Sequence, residues 1–286
     1  MTKMFLETFH DGLVNRAVGE GLIRVCLAGA TGWVGRSLVP AIVESKDLRL
    51  VSAVSRSQKS RRLGEVIGNP KVSLIISGSV DDALKKETDV LVDFTSPDVV
   101  RSNVLSAIRK HVHVVIGTSG LTGADYEMID REARRNTVGV VAAGNFAISA
   151  VLMEHFASVA ARFMPSWEVI DYATDSKPDA PSGTARELVH SLAAVKSPKV
   201  RIPIGNTKGA KESRGYSLNG TQVHSVRLPG YVIGTEAIFG GIGERLSLRH
   251  DAGEGPEPYV NGVLLAIRKV SSLRGLRRGL WQLLEP

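Results

Sequence analysis

The chain has 286 residues, 43% of them hydrophobic and 23% charged, which is enough apolar content for one large or two medium globular domains. Its one cysteine, Cys26, excludes an intramolecular disulfide and a cysteine-based metal cage, and fits a reducing compartment such as the cytoplasm. A net charge of +7 raises nucleic-acid binding, but the cations are spread except at 56–62 and 274–278, aromatic residues are only 5%, and no apolar run is long enough to span a membrane, so neither a base-stacking surface nor a membrane anchor is expected.

Residues 1–22 carry Lys3, Glu7, Asp11, Arg16 and Glu20, a mixture unlike a signal peptide. Phe5, Leu13 and Val18 are spaced for a short amphipathic helix, and the segment reads as an N-terminal extension. From Ile23 the pattern is strand, turn, helix, repeated. Strands are predicted at 23–28, 48–54, 72–76 (weak), 90–94, 112–116 and 138–142, with helices at 34–43, 98–109 and after Thr122. Strands alternating with helices predict an α/β fold with a parallel sheet covered on both faces. Beyond Asn145 the pattern changes. A long helix at 147–163, a strand at 168–173 and a helix at 182–194 precede a polar, glycine-rich stretch at 206–220 that reads as a mobile loop. Strands at 222–228, 231–239 and 244–250 then follow with short turns, predicting an open antiparallel or mixed sheet, and a final amphipathic helix runs from Tyr259 to Ser271. The expected division is an extension at 1–22, a first domain at 23–144 and a second α+β domain at 145–255. A C-terminal helix at about 256–286 would pack back on the first domain.

Gly29, Gly32 and Gly35 are spaced G-x-x-G-x-x-G between the first strand and first helix. Glycines there allow a tight turn and close approach of backbone to a pyrophosphate, and the helix N-terminus offers N–H groups to it. The second strand ends at Ser55 and Arg56, where an acid would select NAD by binding the ribose 2′-hydroxyl. Arg56, with Lys59, Arg61 and Arg62 nearby, suits a 2′-phosphate instead, so NADPH is preferred over NADH. Phe94-Thr95-Ser96-Pro97 and Gly117-Thr118-Ser119-Gly120 follow the fourth and fifth predicted strands and face the same crevice. His111 and His113 alternate on one predicted strand and share a face, but no further ligands accompany them, so no metal site is expected.

The run KPDAPSGTA at 177–185 places Lys177 ahead of a proline-stiffened turn that opens onto a helix. Ser182, Gly183 and Thr184 offer N–H and hydroxyl groups to a carboxylate, and Lys177 adds a movable cation and proton donor. Asp179 reads as a turn-fixing or helix-capping residue, and Asp171 and Asp175 as partners for the lysine.

Together these motifs resemble the 4-hydroxy-tetrahydrodipicolinate (dihydrodipicolinate) reductase family over nearly the whole chain from Ile23. The ordered set is the glycine turn, Phe94 to Pro97, Gly117 to Gly120, Ala143-Gly144-Asn145-Phe146-Ala147, the 177–185 run, Ile242 to Leu246, His250 and Asn261-Gly262. The resemblance implies a Rossmann-like dinucleotide-binding domain and a mixed-sheet substrate domain. It also implies hydride transfer from NADPH or NADH to a small carboxylated cyclic imine, and a homotetramer. It places the cofactor on Gly29, Thr31, Gly32, Trp33, Val34, Gly35, Ser55, Arg56, Phe94, Thr95, Gly117, Thr118, Ser119, Asn145 and Phe146. Lys177 would be the catalytic acid, and Thr174, Ser182, Gly183 and Thr184 would bind substrate. Two departures stand out. The family's His-His pair is replaced by Ala173 and Thr174, and no arginine follows His250 in 253–258. His224 and Glu236 are candidates to replace the missing histidine, whereas His250 reads as structural. The departures favour two rivals: a paralogous reductase of another imine or a monocarboxylate, and a non-catalytic nucleotide-binding homologue.

Overall fold

Strand β1 (Ile23–Ala28) sends alternate side chains into two different cores. Val25 and Leu27 enter one, and Cys26 and Ala28 enter the other. A strand buried on both faces needs helices on both sides, and the computed structural model, which describes residues 21–284, supplies them. The predicted helix through Phe5, Leu13 and Val18 lies outside the described residues. The first sheet has six strands in the order β11-β5-β4-β3-β1-β2, all parallel. They are β2 (Leu48–Val54), β3 (Val90–Asp93), β4 (His113–Ile116), β5 (Gly139–Ala142) and β11 (Gly275–Arg278). Helices α1 (Trp33–Glu44), α4 (Val100–Arg109) and α5 (Gly123–Arg135) make crossovers, and α2 (Leu63–Ile67) and α3 (Val80–Ala83) are short turns between β2 and β3. The strand order reverses between β1 and β3, which opens a crevice beyond their carboxyl ends.

Two sequence expectations fail here. Residues 72–76 form no sheet strand; they bond to the 60–64 backbone, with an isolated bridge of Ile75 to Arg62, and only the next residue, Ser77, bridges to Val54 of β2. The sixth strand is β11, within the basic cluster at 274–278, where four residues of mixed polarity carry too little alternation to read as a strand. The final helix, expected from Tyr259 to Ser271, is α8 (Glu257–Lys269), and β11 and the short α9 (Trp281–Leu284) follow it. Val263, Leu264 and Ile267 of α8 share a core with Leu38 and Ile42 of α1, each contributing about 2 kcal/mol by burial.

The second sheet is mixed and runs β10-β9-β6-β8-β7. Its strands are β6 (Ser166–Ala173), β7 (Tyr216–Leu218), β8 (Thr221–Arg227), β9 (Ile233–Gly240) and β10 (Arg245–Ala252). This is the mixed sheet that the sequence leads one to expect, although β8 and β9, consecutive in the chain, are not neighbours in it. β6 lies between them, parallel to β8 and antiparallel to β9. Helices α6 (Ile148–Phe163) and α7 (Gly183–Val195) cover one face, burying Trp167, Val169, Val223 and Phe239. The stretch expected to be mobile is pinned. β7 pairs with β8, Arg214 reaches Glu168 at 2.8 Å, and the Gln222 side chain donates to the Arg214 carbonyl at 2.6 Å. Among the described residues, no helix is long and apolar enough to cross a membrane, and no group of three or more His, Cys, Asp or Glu residues could hold a metal ion. His111 lies before β4 in a left-handed turn with Nδ1 3.1 Å from the Asn136 carbonyl, and His113 Nδ1 accepts the Gly139 N–H at 3.0 Å, so both imidazoles are engaged with the 136–139 backbone.

Candidate active site

The glycine turn joins β1 to α1 at the crevice. Gly29 has φ +83°, and a Cβ on it would fall on the Phe94 carbonyl. A Cβ on Gly35 would strike the Gly29 carbonyl and the Ala30 backbone. No side chain caps α1 at Gly32, so the amides that follow, through Trp33 and Val34, stay bare. Thr31 Oγ1 lies 2.8 Å from Ser55 Oγ, tying the turn to the end of β2. Trp33 is exposed and packs edge-on against Tyr259 at 5.8 Å. A close backbone concavity with bare helix amides fits a dinucleotide pyrophosphate.

Arg56 is not a free cation. Its Nη1 donates to Asp98 Oδ2 at 3.0 Å and its Nη2 to Ser96 Oγ at 3.3 Å. The Ser96 hydroxyl and then Arg56 hold the Asp98 carboxyl below the usual carboxylate range.

Asp93, which ends β3, is fully buried and organises the middle of the crevice. Its Oδ1 accepts from Thr95 Oγ1 at 2.6 Å, Thr118 Oγ1 at 2.7 Å and the Thr95 amide at 3.1 Å; its Oδ2 accepts from Asn103 Nδ2 at 2.9 Å. One carboxylate thus fixes both Thr95 and Thr118. Phe94 lies where a Gly117 Cβ would be, and meets Phe146 at 5.8 Å. Sequence reasoning passed over Asp93, although a charged residue closing an all-apolar strand was the available signal.

A cleft of about 720 Å³ opens beyond β4, β5 and β11 and runs against α6 and α7. It brings Gly117, Thr118, Ser119 and Asn145 together with Thr184, while the glycine turn, Arg56 and Lys177 lie outside its walls. Glu154, Glu187, Tyr126 and Arg278 also line it, and none was singled out from the sequence. Burial, followed by the nearby Glu154 charge, raises the Glu187 carboxyl above its ordinary range. Its edge is open to solvent, but its oxygens lie where a Gly144 Cβ would be. Asn145 Oδ1 accepts the Ala147 amide at 2.8 Å, which shapes the entry to α6.

Lys177 sits in the turn between β6 and α7, partly buried, with Nζ 2.7 Å from Asp179 Oδ1. Asp171 and Asp175, its expected partners, do not pair with it. Asp171 is fully buried and bound to Arg227 at 2.7 Å. Asp179 is the lysine's partner, while the α7 cap is Ser182, whose Oγ accepts the Ala185 amide at 3.3 Å. The Ser182 amide is committed to Asp171 Oδ2 at 2.8 Å and its side chain is fully buried, which leaves the Gly183 and Thr184 amides to meet an anion. Thr174 Oγ1 contacts Asp175 at 3.1 Å and Ser176 at 3.3 Å. His224 is held by Glu168 at 2.7 Å, Glu236 by the Tyr172 hydroxyl at 3.0 Å, and His250 contacts Ser149 at 3.1 Å. His224 and Glu236 thus have partners other than Lys177.

A family profile described as "Dihydrodipicolinate reductase, N-terminus" matches residues 23–146, and one described as "Dihydrodipicolinate reductase, C-terminus" matches residues 149–284. The chain belongs to the dihydrodipicolinate reductase family. Over 265 residues it is 41% identical to a 4-hydroxy-tetrahydrodipicolinate reductase of Desulfitobacterium hafniense, covering 92% of this chain and 99% of the relative. It is 38% identical over 267 residues to the enzyme of the same name from Moorella thermoacetica, covering 92% and 98%. A dipicolinate-bound dihydrodipicolinate reductase from Paenisporosarcina sp. TG-14 has the same fold, with a TM-score of 0.81 and 31% identity, covering 91% of this chain and 99% of that one. Membership of the dihydrodipicolinate reductase family, with this parallel sheet, implies a nicotinamide dinucleotide as cofactor. The bare amides and the Cβ-free positions at Gly29 and Gly35 are compatible with it.

Proposed function

We propose that this chain reduces 4-hydroxy-tetrahydrodipicolinate, or the dihydrodipicolinate derived from it, with NADPH preferred over NADH, in lysine and diaminopimelate biosynthesis. The observation that carries the reading is the placement of the intact 177–185 run: it sets an ammonium and a helix N-terminus on one turn, beside a cleft floored by Thr118 and Asn145. The nicotinamide, when bound, supplies the hydride. The protein's own groups do the rest. Thr95 and Thr118, fixed by Asp93, present small hydrogen-bonding side chains at the carboxyl ends of β3 and β4. The Gly183 and Thr184 amides receive a substrate carboxylate, with Ser182 capping the helix behind them. Lys177 leaves Asp179, steadies the negative charge that develops as the C=N or conjugated C=C–C=N system takes up the hydride, and delivers a proton from Nζ. Support for NADPH comes from Arg56 standing where an acid would favour NADH.

The working form is a cytoplasmic homotetramer. Its support is the family resemblance and the second sheet's outer face, which α6 and α7 leave uncovered and which carries Tyr172, Glu236 and Arg249. Sedimentation of the purified chain tests this.

The decisive assay mixes the protein with NADPH and freshly generated substrate and follows the absorbance of reduced nicotinamide. Turnover supports the assignment; tight NADPH binding without turnover overturns it. The second reading, reduction of another imine or a monocarboxylate, is favoured by Ala173 and Thr174, which leave Lys177 without a neighbouring imidazole. Faster turnover of a monocarboxylate ring than of the dicarboxylate would establish it.

A further inference from the structure

Arg227 lies at the end of β8, opposite Ala173 of β6 in the parallel register. Arg227 does not salt-bridge to the outside. Its Nη2 donates to Asp171 Oδ2 at 2.7 Å and to the Asp179 carbonyl at 2.8 Å, and its Nη1 donates to the Asp171 carbonyl at 3.2 Å. Asp171 in turn accepts the Ser182 amide. One guanidinium therefore holds the turn at both of its working ends: at Asp179, beside Lys177, and through Asp171 at the first residue before α7.

A purely stabilising role fits this pair poorly. Asp171 Oδ1 and Arg227 Nε are buried without partners among the described residues. A buried ion pair with polar atoms left over is a weak source of stability, because desolvation offsets most of the Coulomb attraction. What the pair does supply is geometry. A planar fork with several donors fixes direction as well as distance, which a lysine ammonium cannot do.

We infer that Arg227 is a positioning residue for substrate capture, setting the Lys177 ammonium and the α7 N-terminus at the spacing of one substrate carboxylate. This rests on the substrate site proposed above. The guanidinium contacts neither cofactor nor the reacting atoms; it acts through Lys177 and Ser182.

The test compares Arg227→Lys with wild type, Lys177→Ala and the double variant, using NADPH titration, melting temperature and steady-state kinetics on freshly generated 4-hydroxy-tetrahydrodipicolinate. Arg227→Lys keeps the charge that balances Asp171, so the fold is retained. A substrate KM about tenfold higher is expected, with kcat and NADPH affinity within about threefold, the pattern of lost ground-state binding. In the Lys177→Ala background the same change raises KM by less than half that factor, because the two residues act as one unit. Parallel losses in NADPH affinity and melting temperature, a fully additive double variant, or an unchanged KM would each overturn the inference. If Lys177→Ala also leaves KM and kcat unchanged, it is the substrate-site reading that fails; if Lys177→Ala impairs turnover and Arg227→Lys does not, only the role of Arg227 falls.

Discussion

The Lys177 ammonium is held 2.7 Å from the Asp179 carboxylate, two residues along the same turn. The lysine in turn holds the Asp179 carboxyl below the ordinary range. An incoming substrate carboxylate must therefore take the lysine from an internal competitor. Asp179→Asn should lower the substrate KM by about twofold to fivefold, the scale of a partly exposed ion pair. Lys177→Ala should cut kcat by about a hundredfold or more, as for loss of a positioned acid. Initial-rate kinetics read both, and a higher KM in Asp179→Asn would show that the aspartate aims the lysine rather than competing for it.

Arg56 and Asp98 form the second pairing with a kinetic consequence. Arg56→Ala should raise the KM for NADPH by about tenfold to a hundredfold, the value of a charge-assisted phosphate contact, and change that for NADH little. Asp98→Asn should move preference the other way, since it frees the guanidinium. Equal effects of Arg56→Ala on both cofactors would remove Arg56 from the 2′-phosphate site.

Asp93 accepts four hydrogen bonds while fully buried. Asp93→Ala strands the Thr95 hydroxyl and the Asn103 side chain, while the Thr95 amide keeps Thr118 Oγ1 at 2.7 Å and Thr118 keeps the backbone carbonyl of residue 93 at 3.2 Å. We expect a loss of about 3 kcal/mol in urea unfolding, together with weaker NADPH binding. Unchanged stability would mean that those donors find other partners.

Gly35 has no room for a methyl group. Gly35→Ala should displace the Gly29 carbonyl at a cost of about 1–3 kcal/mol and weaken NADPH binding by at least about tenfold, with circular dichroism unchanged. Wild-type affinity in the variant would mean that the turn can yield without losing its anion site.

Burial holds the imidazoles of His113 and His250 below the ordinary histidine value of 6.5, with the Arg274 charge adding to the effect at His113. As pH falls, the unfolded chain takes up these protons first. Their contribution is therefore intact above about pH 6.5 and is lost as pH drops through their folded values. Melting temperature should fall between pH 7.5 and 5.5, and less steeply in His250→Asn. Parallel profiles would clear His250 of any part in it.

The parallel sheet was legible because 90–92 in β3, 114–116 in β4 and 140–142 in β5 are unbroken apolar runs, which suit strands buried on both faces. Residues 72–76 look similar but lie beside two short helices and never reach the sheet. β11 escaped notice because its alternating Leu276 and Arg277 need a tertiary partner to become a strand. In the site, the glycine turn and Lys177 were visible as local patterns. Asp93 and Arg227 were not, because their roles come from partners as much as 56 residues away, which only folding brings together.

The position of β11 also has a consequence for biosynthesis. The outer strand of the cofactor sheet is translated long after β5, which it pairs with. While the second sheet is being made, the nascent first sheet carries an unfinished border with exposed amides and carbonyls, a template for wrong partners. The nucleotide half is thus complete only once nearly the whole polypeptide has emerged, so a message truncated after β10 would yield two sheets and no finished cofactor site.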